Sequence, residues 1–123
     1  MPAMRILIAG PYRSGTIDDS PMIEANIEVM MSFAWKVYQK RHLPVLGEWY
    51  ALPLIKQAGS QKTGDEIFNQ IFHPIAIQLL ARCDAVLRIG GASSGADEIV
   101  SIGIENKKRF ITPWKKFLIS KSI

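Results

Sequence analysis

Two short runs of small residues carry the strongest chemical signal in the chain: Gly10 to Gly15 (GPYRSG) and Gly90 to Gly95 (GGASSG). Each follows an apolar run of strand character and precedes a segment patterned as a helix. A strand that feeds a Gly/Ser turn and then a helix gathers backbone N–H groups and the positive end of the helix dipole at the carboxyl edge of a sheet. An anion such as phosphate is readily held there. If the two parent strands are neighbours in one parallel sheet, both turns face the crevice where open α/β sheets place their ligands. Taken singly, either turn serves equally well as a plain connection.

The elements that must position these turns follow from periodicity. Arg5 to Ala9 (RILIA) is a short apolar run closed by Gly10 and Pro11, the pattern of a buried strand. Ser20 and Pro21 predict an N-cap and a first helical position, after which Ile23, Ile27, Met30, Met31, Ala34, Val37 and Tyr38 recur at helical spacing to about Arg41. Leu43 to Leu46 is the next strand, followed by Gly47, Glu48 and Trp49 and a short helical stretch toward Ile55. The polar, glycine-bearing segment from Gln57 to Gly64 is expected to be a mobile loop. From Asp65, the residues Ile67, Phe68, Ile71, Phe72, Ile75, Leu79 and Leu80 mark a helix that Pro74 is expected to kink or divide. Asp84 to Ile89 (DAVLRI) is a strand, Ala96 to Asn106 a helix, and Arg109 to Thr112 a last strand stopped by Pro113. Strands alternating with helices predict parallel βαβ units in an α/β fold, with helices on both faces of the sheet.

Composition narrows the function classes. The 123 residues suit one domain spanning 1–123, and 48% apolar with 21% charged residues excludes a disordered or fibrous chain. A single cysteine, Cys83, allows no internal disulfide and fits a reducing compartment. No run approaches the ~18 uninterrupted apolar residues of a membrane span, and the start of the chain leads into a strand rather than a signal peptide. The expectation is a cytoplasmic protein without a membrane partner. A net charge of +4 suits a small anionic ligand and is too mild to call for nucleic acid. Lys107, Lys108 and Arg109, and Lys115 and Lys116, read as solvated ends of elements. His42 and His73 lie apart without ligand-spaced partners, so no metal site is expected, and no Ser-His-Asp order or P-loop pattern supports another hydrolase class.

Ile6 to Arg13 (ILIAGPYR), Cys83 to Ile89 (CDAVLRI) and Ser93 to Glu98 (SSGADE) stand in this order across nearly the whole chain. In that ordered set the chain resembles the nucleoside 2-deoxyribosyltransferase superfamily, whose relatives include N-glycosidases acting on deoxynucleoside 5′-monophosphates. The resemblance implies a three-layer flavodoxin-like or Rossmann-like parallel sheet, a nucleotide or sugar-phosphate ligand, no cofactor, and a homodimer or larger homo-oligomer with shared pockets. The long helix after Ser20 also carries Met22, Met30, Met31, Phe33 and Trp35 over more than one face, which calls for cover on more than one side. Carried over by position, Gly10, Tyr12 and Arg13 line the sugar and phosphate site, and Ser93 and Gly95 hold the same phosphate through a hydroxyl and a backbone N–H. For Ser93 and Ser94, N-capping of the next helix needs the same chemistry, and both readings stay open. Glu48 falls where relatives place polar groups near base or sugar, and Trp49 is placed either to stack on a base or in the core.

The sequence departs from the family pattern at two positions. Relatives carry a catalytic glutamate four residues after the loop glycine, where this chain has Ile99, with Glu98 one residue early. At ~100° per residue Ile99, Val100, Ile102 and Gly103 share one side of the helix and Glu98, Ser101 and Glu105 the other. Glu98 remains a catalytic candidate only if Ser94 shifts the helix start, and Asp97 is then a second one at the N-terminal turn. Relatives also carry an aspartate where this chain has Ala76, with Asp65 and Asn69 the nearest polar replacements. Three readings are left open: a deoxynucleotide N-glycosidase or transferase, a non-catalytic binder using the same crevice, and an interaction module that keeps the fold alone.

Overall fold

A computed structural model describes residues 3–13 and 19–111. Ser14 and Gly15 of the first small-residue run, Thr112, Pro113, Lys115 and Lys116 lie outside the described residues. The order of elements is β1 (Arg5–Ala9), α1 (Ser20–Gln39), β2 (Leu43–Val45), α2 (Gly47–Gln57), α3 (Glu66–Ala81), β3 (Ala85–Arg88), α4 (Ser94–Glu105) and β4 (Arg109–Ile111). The four strands form one parallel sheet in the order β2-β1-β3-β4, with Leu7 paired to Val45 on one side and Val86 on the other. This is the flavodoxin-like strand order, whose crossovers leave β1 in opposite directions and create a switch point between β1 and β3.

Alternation along β1 builds the three layers. Ile6 and Ile8 face one way and pack with Met30, Ala34 and Val37 of α1, while Leu7 and Ala9 face the other way and pack with Leu80 of α3 and with Ala96 and Ile99 of α4. A third apolar cluster joins Tyr12, Ile23, Ala51, Ile55 and Phe68, and so seats α2 beside α3 and the start of α1. Gly103 lets α4 lie close on the sheet, because a Cβ there would stand 3.3 Å from Val86 Cγ1.

Several local expectations change. Asp19 rather than Ser20 caps α1, its carboxylate accepting the Met22 N–H at 3.3 Å, so Ser20 and Pro21 occupy the first helical turn. The α3 helix runs unbroken through Pro74. The backbone acceptor that Pro74 cannot serve belongs to Gln70, on the exposed side, where water can take the place of the missing N–H. The loop after α2 is fastened: the Asp65 carboxylate caps α3 at Phe68 N and accepts from Ser60 Oγ and from the Gln61 and Lys62 amides, which holds its pKa down at about 2. On α1, Met30 is buried and Phe33 half-buried, but Met22, Met31, Trp35 and Tyr38 are exposed, so sheet and neighbouring helices do not cover all of its apolar surface. No helix among the described residues is long and apolar enough to cross a membrane.

Candidate functional site

The two small-residue turns meet at the switch point. A Cβ at Gly10 would stand 2.9 Å from both Ile89 Cγ1 and Met30 Sδ, and one at Gly90, where φ is +78°, would stand 2.7 Å from Pro11 Cδ. Only glycine allows the two loops to approach this closely. From the end of β3, Arg88 clasps the second turn by donating to the carbonyls of Ile89 and Gly91 and, through Nε, to Asp97 Oδ1 at 3.1 Å. The result is a cavity of about 250 Å³ at the carboxyl ends of β1 and β3.

Six of the residues singled out in the sequence line it: Gly10, Tyr12, Arg13, Glu48, Ser93 and Gly95. Arg13 is held by α3, with Nη1 donating to Asn69 Oδ1 at 3.3 Å and its guanidinium 5.5 Å from the Phe68 ring centroid. Gly64, at φ +86°, makes room for it, since a Cβ there would collide with the guanidinium. Tyr12 stacks with Phe68 at 6.1 Å and lies tilted against Phe72 at 4.9 Å, and its phenol pKa is raised by burial and by the Glu48 charge, against the opposing effect of Arg13. Ser93 is buried and caps α4, its Oγ accepting the Ala96 N–H at 3.2 Å. The capping role is therefore present, and the same oxygen still has its own proton to donate into the cavity it lines.

Glu48 is the unusual member. It lies on the first turn of α2, where a carboxylate is favoured by the helix dipole, yet it is only 6% exposed. Its Oε2 has no hydrogen-bond partner among the described residues. Burial raises its pKa, opposed only by a hydrogen bond to its own backbone N–H.

No family model matches this chain, and no curated protein does.

Four sequence candidates fall elsewhere. Trp49 is 44% exposed and Ser94 is exposed, and neither lines the cavity. The Asp97 side chain, 70% exposed, is engaged by Arg88, and Glu98, 61% exposed, stands with Oε1 at 3.3 Å from His73 Nε2 on the outer side. The extra serine does not shift α4: Ser93 caps it, and Ala96, Ile99 and Gly103 turn inward, which leaves positions 97 and 98 facing out. Ile99 and Ala76 do line the cavity. The two positions at which the resemblance expects carboxylates thus face the crevice and are both apolar. Of the polar replacements, Asn69 lines the cavity and Asp65 is used as the α3 cap.

His73 also lines the cavity and was not singled out by its spacing. The available signal was its helical face, because Asn69, His73 and Ala76 are spaced i, i+4, i+7. Among the described residues no three His, Cys, Asp or Glu side chains gather at a metal site.

Proposed function

We propose that the chain is a nucleoside 2-deoxyribosyltransferase-like protein whose crevice binds a nucleotide or sugar phosphate, without the covalent glycosyl transfer that a carboxylate on α4 performs. The convergence of the Gly10 and Gly90 turns on one cavity with Arg13, Ser93 and Gly95 carries this reading. Two loops, a guanidinium and the start of a helix give charge-assisted donors to one anion. Ile99 and Ala76 argue against a covalent intermediate, since neither can attack the anomeric carbon. Glu48 favours a second reading within the same cavity, cleavage of the ligand's glycosidic bond by proton transfer, because a buried carboxyl without a partner suits an acid. Pairing of two copies through the exposed face of α1 belongs to the same proposal.

Isothermal calorimetry with a deoxynucleoside and its 5′-monophosphate tests the binding reading. A charge-assisted hydrogen bond contributes about 1.5–3 kcal/mol, so the monophosphate is expected to bind roughly ten- to hundred-fold tighter. Arg13→Ala should remove most of that difference. Equal affinities in the unmodified protein contradict the proposal.

A further inference from the structure

Among the described residues that line the crevice, Glu48 carries the one carboxyl and Arg13 the one guanidinium. Burial raises the Tyr12 pKa most, after which the Glu48 charge adds and Arg13 subtracts, so Tyr12 lies within electrostatic reach of both. The two groups are equipped differently. The Arg13 guanidinium is seated on Asn69 and Phe68, beside the turns that gather donors for an anion. Glu48 is 6% exposed, and its Oε2 has no hydrogen-bond partner among the described residues. An unpaired buried carboxyl oxygen is costly, and more so once ionised, so the donor it lacks has to come from whatever fills the cavity. His73 Nε2, on α3, is likewise buried without a hydrogen bond, although Glu98 Oε1 stands 3.3 Å away. Gly47 brings α2 against α3, where a Cβ on it would stand 3.6 Å from Ala76 Cβ, so the two unpartnered atoms belong to helices in contact. Ile99, Ala76 and Ala96 line the cavity without a hydrogen-bonding side chain, which leaves polar recognition to a few groups of opposite character.

We propose that the ligand of this crevice is an amine-bearing sugar phosphate, its phosphate held by Arg13 and the Ser93 to Gly95 turn and its primary ammonium held by Glu48. The inference rests on the phosphate reading above and narrows it from nucleotides and sugar phosphates at large to a zwitterionic sugar phosphate. An ammonium brings three N–H donors and a positive charge, so it both satisfies Glu48 Oε2 and neutralises the carboxylate. A hydroxyl in the same place brings one donor and no charge, and an acetylated amine brings one donor, no charge and added bulk. Burial favours the neutral Glu48 carboxyl, whereas an ammonium beside it favours the ionised one, so the pair forms with loss of the Glu48 proton to solvent. In a site this buried, a charged hydrogen bond discriminates strongly against an analogue that cannot make it, because the carboxyl is then left unpaired. Opposite charges in one cavity also fix the direction of the ligand, phosphate toward the start of α4 and amine toward the start of α2. This role needs no bond cleavage and no carboxylate at Ile99.

Calorimetry with 2-amino-2-deoxyglucose 6-phosphate, its N-acetyl derivative and glucose 6-phosphate tests the inference. A hydrogen bond between charged groups changes affinity by roughly ten- to hundred-fold, and the amine is expected to bind tighter than either comparison ligand by that factor. Glu48→Gln should remove most of the difference between the amine and glucose 6-phosphate. Arg13→Ala should weaken all three ligands and leave their ranking in place. If Glu48→Gln does not melt cooperatively, the ranking of the three ligands on the unmodified protein decides alone. Equal affinity for the amine and either comparison ligand, or a preference for the amine that survives Glu48→Gln, overturns the amine site and leaves the phosphate reading standing. Failure of all three to bind overturns the amine site as well, and the nucleotide calorimetry above, which uses none of these ligands, decides the phosphate reading on its own.

Discussion

At the scale of single residues, hydrophobicity alone would bury Trp49 and expose Glu48, and the structure does the reverse. The α2 helix turns Glu48, Ala51 and Ile55 inward at i, i+3, i+7, and leaves Trp49 and Tyr50 half in solvent. Glu48 was recognisable as a polar residue beyond the second strand; its burial was not, because the phase of an 11-residue helix is fixed by the neighbours it packs on. His42 offers a test of the same kind. It is buried, its Nδ1 accepts the Met4 N–H at 2.9 Å, and burial lowers its pKa. The unfolded chain takes up this proton near the ordinary value of about 6.5 and the folded chain only at lower pH. Below about pH 6.5 the unfolded state therefore binds more protons, and stability falls as pH falls. The melting temperature is expected to be lower at pH 5 than at pH 7, with the drop reduced in His42→Asn, whose amide oxygen can accept the same N–H. Because Glu48, with its raised pKa, acts in the opposite sense, the comparison between the two proteins is what isolates His42. An unchanged drop in the variant contradicts this account.

At the scale of elements, α4 shows what periodicity can settle. The wheel places Ile99 inward and Glu98 outward, and the helix adopts that phase because Ala96, Ile99 and Gly103 are the residues able to lie against β3 and its neighbours. Cap identity was less legible, since Asp19, Ser20 and Pro21 are all good helix-start residues and only the loop's path selects Asp19. The fastening of the loop before α3 was equally hidden, because it depends on one carboxylate reaching several amides at once. The outer face of α1 yields a prediction. Met31, Trp35 and Tyr38, at i, i+4, i+7, form an exposed stripe in which Trp35 and Tyr38 stack at 6.0 Å. Apolar surface of this kind marks an interaction site, and a second copy is the proposed cover. Light scattering at micromolar concentration is expected to give a dimer mass that Trp35→Glu converts to the monomer. A monomer mass for the unmodified protein contradicts pairing through α1.

At the scale of the molecule, the position of the crevice follows from strand order. Pairing of β1 with β3 brings the Gly10 and Gly90 turns together at the switch point of the β2-β1-β3-β4 order. The alternation of strands and helices was legible because each apolar run is short and punctuated by glycine or proline. The contribution of α3 was not, because Asn69, Phe72 and His73 reach the cavity across the fold from a segment whose apolar pattern reads simply as core. The central claim is that this crevice holds a phosphate-bearing ligand. Crystals soaked with a deoxynucleoside 5′-monophosphate test it most directly. The expected result is phosphate density within hydrogen-bonding distance of the Arg13 guanidinium and of the Ser93 to Gly95 turn, with the sugar toward Ile99; a nucleotide bound elsewhere on the surface, or a crevice left unoccupied at saturating ligand, contradicts it.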